Sequence, residues 1–107
     1  MKLVICIVSN KDVSALLEEL VFKGYRATKL ASTGGFLKEG NTTLLIGIDV
    51  EQVEEVFEII ENKCRSRKQL VTPISTGLAE TFVPYPMEVT VGGATVFLID
   101  VEKNIRV

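Results

Sequence analysis

An α+β domain of ferredoxin-like order, β-α-β-β-α-β, follows from three observations on this 107-residue sequence. Apolar, β-branched runs recur along it at lengths that suit strands. Two other segments carry apolar residues at helical spacing, each preceded and followed by such runs. Glycine pairs and a Gly-Asn step punctuate the chain where that order needs turns. The product is a four-stranded antiparallel sheet with two helices on one face. Length and a 47 % apolar content suit one core, so residues 1–107 read as a single domain.

The elements justify themselves in order. Lys2 to Ser9 is the first strand, through Leu3, Val4, Ile5, Ile7 and Val8. Asp12 is placed to N-cap a helix whose apolar face is Val13, Leu16, Leu17, Leu20 and Val21. Gly24 ends that helix, as a left-handed cap favours glycine. Tyr25 to Thr33 alternates as the second strand, and Gly34-Gly35 and Gly40-Asn41 bracket a short loop. Thr42 to Ile48 is the third strand. Asp49 can cap a second helix striped by Val53, Val56, Phe57, Ile60 and Cys64. Cys64 to Lys68 reads as its basic last turn, suited to the negative end of the helix dipole. A long loop covers about 69–87, where Pro73, Gly77, Pro84 and Pro86 break any period. Glu88 to Val91 and Ala94 to Val101 are strands flanking Gly92-Gly93, a pair read as a bulge or bend.

The central strands make a further demand. Strands one, three and last are continuously apolar rather than alternating, a pattern of strands covered on both faces. Two helices cover one face only. The simplest cover for the other is a second copy of the chain, so a homo-oligomer is expected.

Charge and chemistry exclude much. A net charge of −2 does not favour a nucleic-acid polymer as partner. The longest apolar run, Leu3 to Val8, is too short for a membrane span or a signal-peptide core, so a cytoplasmic protein without membrane insertion is expected. Cys6 and Cys64 read as free thiols in a reducing compartment. With no histidine, no zinc set and no G-x-x-x-x-G-K-[ST] pattern, an enzyme is not expected, nor a metal or cofactor. Glu51, Glu54, Glu55, Glu58 and Glu61 make a solvated helix face.

The stretch from Arg26 to Thr43 differs in kind. It interleaves cations with hydroxyls, two adjacent glycines and Phe36. Adjacent glycines can turn backbone N–H groups inward as an anion nest. Arg26 can fork onto phosphate oxygens. Thr28 and Asn41 can donate to a phosphate or read a base edge, and Phe36 can stack on a purine. The same spacing also fits a plain hairpin with glycine turns and Phe36 packed on the core.

Three segments carry a family resemblance: Thr28-Lys-Leu-Ala-Ser-Thr-Gly-Gly-Phe-Leu-Lys-Glu-Gly-Asn-Thr-Thr43, Val83-Pro-Tyr-Pro-Met-Glu-Val89 and Val91-Gly-Gly-Ala-Thr-Val-Phe97. On these the chain resembles the PII-like cyclic di-AMP receptor proteins over nearly its whole length. The resemblance implies a non-enzymatic, ferredoxin-like homotrimer that binds cyclic di-AMP in clefts between subunits. Loops that move or order on binding would signal to a downstream protein that the sequence does not identify. It also implies ligand contacts at Arg26, Thr28, Phe36, Leu37 and Asn41, backbone approach at Gly35 and Gly47, and Phe97 near the base from the adjoining surface.

Two departures stand out. The loop after Pro73 is shorter and less glycine-rich than the family's usual pattern, and Arg106 falls where the family's tail has a glutamine. Arginine only donates, so it cannot serve both faces of a base edge as an amide does, though it can add a phosphate or cation–π contact. Two other readings stay open: a PII-type sensor of ATP or another nucleotide, and a trimeric interaction module with a vestigial pocket.

Overall fold

The computed structural model describes residues 1–30, 40–71 and 87–107. The order is β1 (Lys2–Ser9), α1 (Val13–Phe22), β2 (Ala27–Lys29), β3 (Asn41–Ile48), α2 (Val53–Cys64), β4 (Arg67–Val71), β5 (Met87–Val91) and β6 (Ala94–Asp100). A single 3-10 turn, Val50–Gln52, leads into α2. The main sheet runs β2-β3-β1-β6, all neighbours antiparallel, as the ferredoxin-like order requires. β4 and β5 pair apart from it as a two-stranded arm.

Sheet alternation sorts the core. Val4, Cys6 and Val8 of β1 and Thr42, Leu44, Ile46 and Ile48 of β3 point into one buried layer. Val13, Leu16 and Leu20 of α1 and Val53, Val56, Ile59, Ile60 and Cys64 of α2 close it from above. Leu3, Ile5 and Ile7, on the other side of β1, are only half-buried. Continuous apolar strands are therefore paired here with helices on one face only.

Several boundaries move. Val21 joins the sequence stripe of α1 but is 66 % exposed, because the stripe that meets the sheet is the narrower i, i+3, i+7 set. Ile59 replaces Phe57, which is half-buried, among the fully buried residues of α2. The expected basic last turn is shorter, since Arg65 leaves the helix extended and Arg67 and Lys68 belong to β4. The long loop expected over 69–87 is entered and left through paired strand, with Arg67 opposite Val91 and Val71 opposite Met87.

Gly24 makes the expected left-handed cap at φ +88°. The Gly24 N–H donates to Val21 C=O (3.0 Å) and the Tyr25 N–H to Leu20 C=O (2.8 Å), the two bonds of a Schellman ending. Asp12 stands at the N-cap position of α1 without capping it. Its carboxylate is committed elsewhere, as described below. At the start of the 3-10 turn, Gln52 Oε1 accepts from the Asp49 N–H at 2.8 Å.

Candidate functional site

The open face of the sheet gathers the described candidate residues. Register aligns Thr28 with Leu45, Leu45 with Ile5, and Ile5 with Phe97, so these four side chains form one row across four strands. Thr28 is exposed, Leu45 and Ile5 are half-buried and Phe97 is 51 % exposed. The next row holds Gly47, Leu3 and Ile99. Arg26, one residue before β2, extends that register to the step of Gly47, and it is exposed. Gly47 brings no side chain to this row, and the Met1 side chain lies over it, so that a Cβ there would stand 3.2 Å from Met1 Cε. Asn41 lies on the same face at the far end of β3, paired with Ser9.

One chain spreads these residues instead of closing them into a pocket. Two strands separate Thr28 from Phe97, which at the usual strand spacing is about 14 Å. Gly47 lies six residue steps along β3 from Asn41, about 20 Å. Surface cavities of about 470, 390 and 320 Å³ open on the helical layer and at the α2–β6 edge, and none of the described candidates is among the described residues that line them. The tail leaves the Gly47 end, where the Val101 N–H donates to Met1 C=O at 3.1 Å, and Arg106 is exposed along it. Gly35, Phe36 and Leu37 lie outside the described residues, so of the expected contacts the structure places Arg26, Thr28, Asn41, Gly47, Phe97 and Arg106.

Neither of the two thiols is poised as a nucleophile. Burial pushes the Cys6 thiol up to about 12 and the Cys64 thiol up to about 11, far from nucleophilic thiolates. No group of three or more His, Cys, Asp or Glu among the described residues is arranged to hold a metal ion. No helix among them is long and apolar enough to cross a membrane.

Sequence reasoning missed one junction beside this face. Arg67 grips Asp12 in a fork, Nη2 to Oδ1 at 2.9 Å and Nη1 to Oδ2 at 3.3 Å. The Asp12 side chain is 7 % exposed. Hydrogen bonding to Asp12, then its charge, raises the Arg67 pKa further. An aspartate ahead of an apolar run signals a cap, and nothing local announces a partner 55 residues away.

The cyclic-di-AMP receptor family model matches residues 1–107. The chain belongs to the cyclic-di-AMP receptor family. Among solved structures it is similar to the crystal structure of a functionally unknown protein from Pediococcus pentosaceus ATCC 25745, at 44 % identity and a TM-score of 0.79. That match covers 99 % of this chain and 96 % of the other. A receptor family and a sheet face bearing a cation, a hydroxyl, an amide and an aromatic agree in chemistry.

Proposed function

We propose that this chain is a non-enzymatic, cytoplasmic signal-transduction receptor that binds cyclic di-AMP between the copies of a homotrimer. The observation that carries the reading is the register of the open face. Thr28 and Phe97 share one row, yet two strands keep them about 14 Å apart in one chain. A neighbouring copy laid on this apolar face brings its own Phe97 beside Thr28 and Arg26. It also covers Ile5, Leu45 and Ile99, which the helices leave half open or exposed.

Each residue then has work to do. Arg26 forks onto a phosphate, Thr28 and Asn41 donate to phosphate or base, and Gly47 lets the ligand approach backbone. Gly35, Phe36 and Leu37 complete the contact, Phe97 packs on a base and Arg106 adds a cation from the tail. Binding is relayed to a downstream protein by rearrangement of the loops that leave the sheet.

Calorimetry on wild type and Arg26→Ala tests the reading, with sedimentation as a check on assembly. Losing a charge-assisted fork should cost about 1.5–3 kcal/mol, tenfold or more in Kd, with the assembly intact. Equal affinities would remove Arg26 from the site. The Arg106 departure keeps base choice open, so ATP belongs in the same titration. Tight ATP binding without cyclic di-AMP binding would make the chain a sensor of another nucleotide, and neither binding would leave an interaction module.

A further inference from the structure

We propose that Asn10 and Asp12, on the turn between β1 and α1, are positioning residues that couple the Asn41 end of the ligand face to the β4–β5 arm. The ligand half of this inference rests on the function proposed above. The mechanical half rests on contacts within the chain.

Asn10 holds both neighbours of Asn41. Its N–H donates to the Gly40 C=O at 3.1 Å, and its Oδ1 accepts from the Thr42 hydroxyl. Thr42 and Gly40 are buried, so these bonds fix the backbone on either side of Asn41. Two residues on, Asp12 holds the base of the arm. Its carboxylate takes the Arg67 fork, and Arg67 Nη1 also donates to the Arg65 C=O at 3.1 Å. Arg67 opens β4 and pairs with Val91, the last residue of β5.

The second strand of the arm closes on the same spot. Gly92 follows Val91 at φ +78°, and a Cβ there would stand 2.4 Å from Arg67 Nη1 and 2.9 Å from Asp12 Oδ2. The Gly93 N–H donates to the Cys64 C=O. Both roots of the arm thus press on one buried carboxylate.

The turn between the two grips is stiff. The Asp12 N–H donates to the Ser9 C=O at 2.9 Å and the Lys11 N–H to Ser9 Oγ at 3.2 Å. A shift at Gly40–Thr42 therefore cannot leave Asp12 where it was. A ligand that engages Asn41 differently in two states of the arm biases the arm, and by linkage the arm biases the ligand.

Hydrogen exchange on the full chain tests this in two arms. Without nucleotide, Asn10→Ala should speed exchange of the 67–71 amides several-fold, although the bonds it removes or loosens are those to Thr42 and Gly40. Asp12→Asn, which keeps the shape and removes the charge, should speed exchange of residues 40–42 likewise. If each variant alters only its own immediate contacts, the coupling is overturned whether or not any nucleotide binds.

With saturating cyclic di-AMP, calorimetry first establishes binding to the wild type. Exchange in the arm should then change on binding in the wild type and change much less in either variant. An equal response in all three proteins overturns the inference. No calorimetric binding to the wild type rejects the proposed function, and the nucleotide-free arm still decides the coupling.

Discussion

Burial governs the chemistry of the two thiols. Cys6 is 0 % and Cys64 1 % exposed, and both are free. Desolvation raises Cys6 to about 12, with the neighbouring Cys64 adding to it. Cys64 rises to about 11 by burial and then by the charge of Asp12, against the pull of Arg67. Both values stand above the 9.0 of an exposed thiol, so the folded state favours the neutral form. That stability is whole below pH 9 and is lost as pH climbs toward 11–12. Between pH 8 and pH 10 each thiol should cost about 1.4 kcal/mol as the unfolded chain ionises. Urea midpoints at the two pH values, in wild type and in a Cys6→Ala, Cys64→Ala double variant, measure the difference. An identical pH drop in both proteins would place the effect on other groups. The thiols were read as free from an expected reducing compartment, and their burial was legible because a strand position and a helix stripe position both face inward. Asp12 was not legible in the same way. Its neighbours describe a cap, and only the chain's return at Arg67 turns it into half of an ion pair.

At the scale of elements, two glycines with the same backbone demand separate strain from crowding. Gly24 and Gly92 both have positive φ, at +88° and +78°. A Cβ at Gly24 meets nothing within 4 Å, whereas at Gly92 it meets Arg67, the Arg65 carbonyl and Asp12, all under 3 Å. Gly24→Ala should therefore cost only the left-handed strain, about 1–2 kcal/mol. Gly92→Ala should cost more, because it also splits the Asp12–Arg67 fork. Chemical denaturation of the two variants ranks them, and a Gly24→Ala at least as damaging as Gly92→Ala would refute the crowding argument. The cap at Gly24 followed from sequence since one residue type fits one local conformation. The arm did not. Strand pairing between residues 67–71 and 87–91 depends on ends that meet across a long separation, and proline and glycine between them mask the pattern. The site divides along the same line. Arg26, Thr28 and Asn41 stood out by residue type. Gly47, Phe97 and Arg106 were named by family resemblance, and the rows that join Gly47 and Phe97 to the others come from strand register alone.

At the scale of the molecule, the open face is an apolar surface that a lone chain leaves to water. Leu3, Ile5, Ile7 and Leu45 are half-buried, while Leu30, Phe97 and Ile99 are 42 %, 51 % and 44 % exposed. Burial of this surface between copies is the driving force for the proposed trimer, at roughly 25 cal/mol for each Å² removed from water. Ile5 sits at the centre of the face, flanked by Leu45 and Phe97. A lysine there would have to bury its charge or keep the copies apart. The penalty for an unpaired buried charge is several kcal/mol, enough to outweigh one apolar contact patch. Within one chain the same lysine can reach water, so the fold should survive. Ile5→Lys is therefore expected to give a folded single chain with an unchanged far-ultraviolet spectrum. Light scattering should read three chain masses for the wild type and one for the variant. Nucleotide binding should disappear with the assembly, because Phe97 of one copy and Thr28 of another no longer meet. A variant that keeps the wild-type mass would mean that copies join elsewhere. A monomeric variant that still binds with full affinity would place the whole site within one chain, and the row of Thr28, Leu45, Ile5 and Phe97 would then be a wall of the ligand site alone.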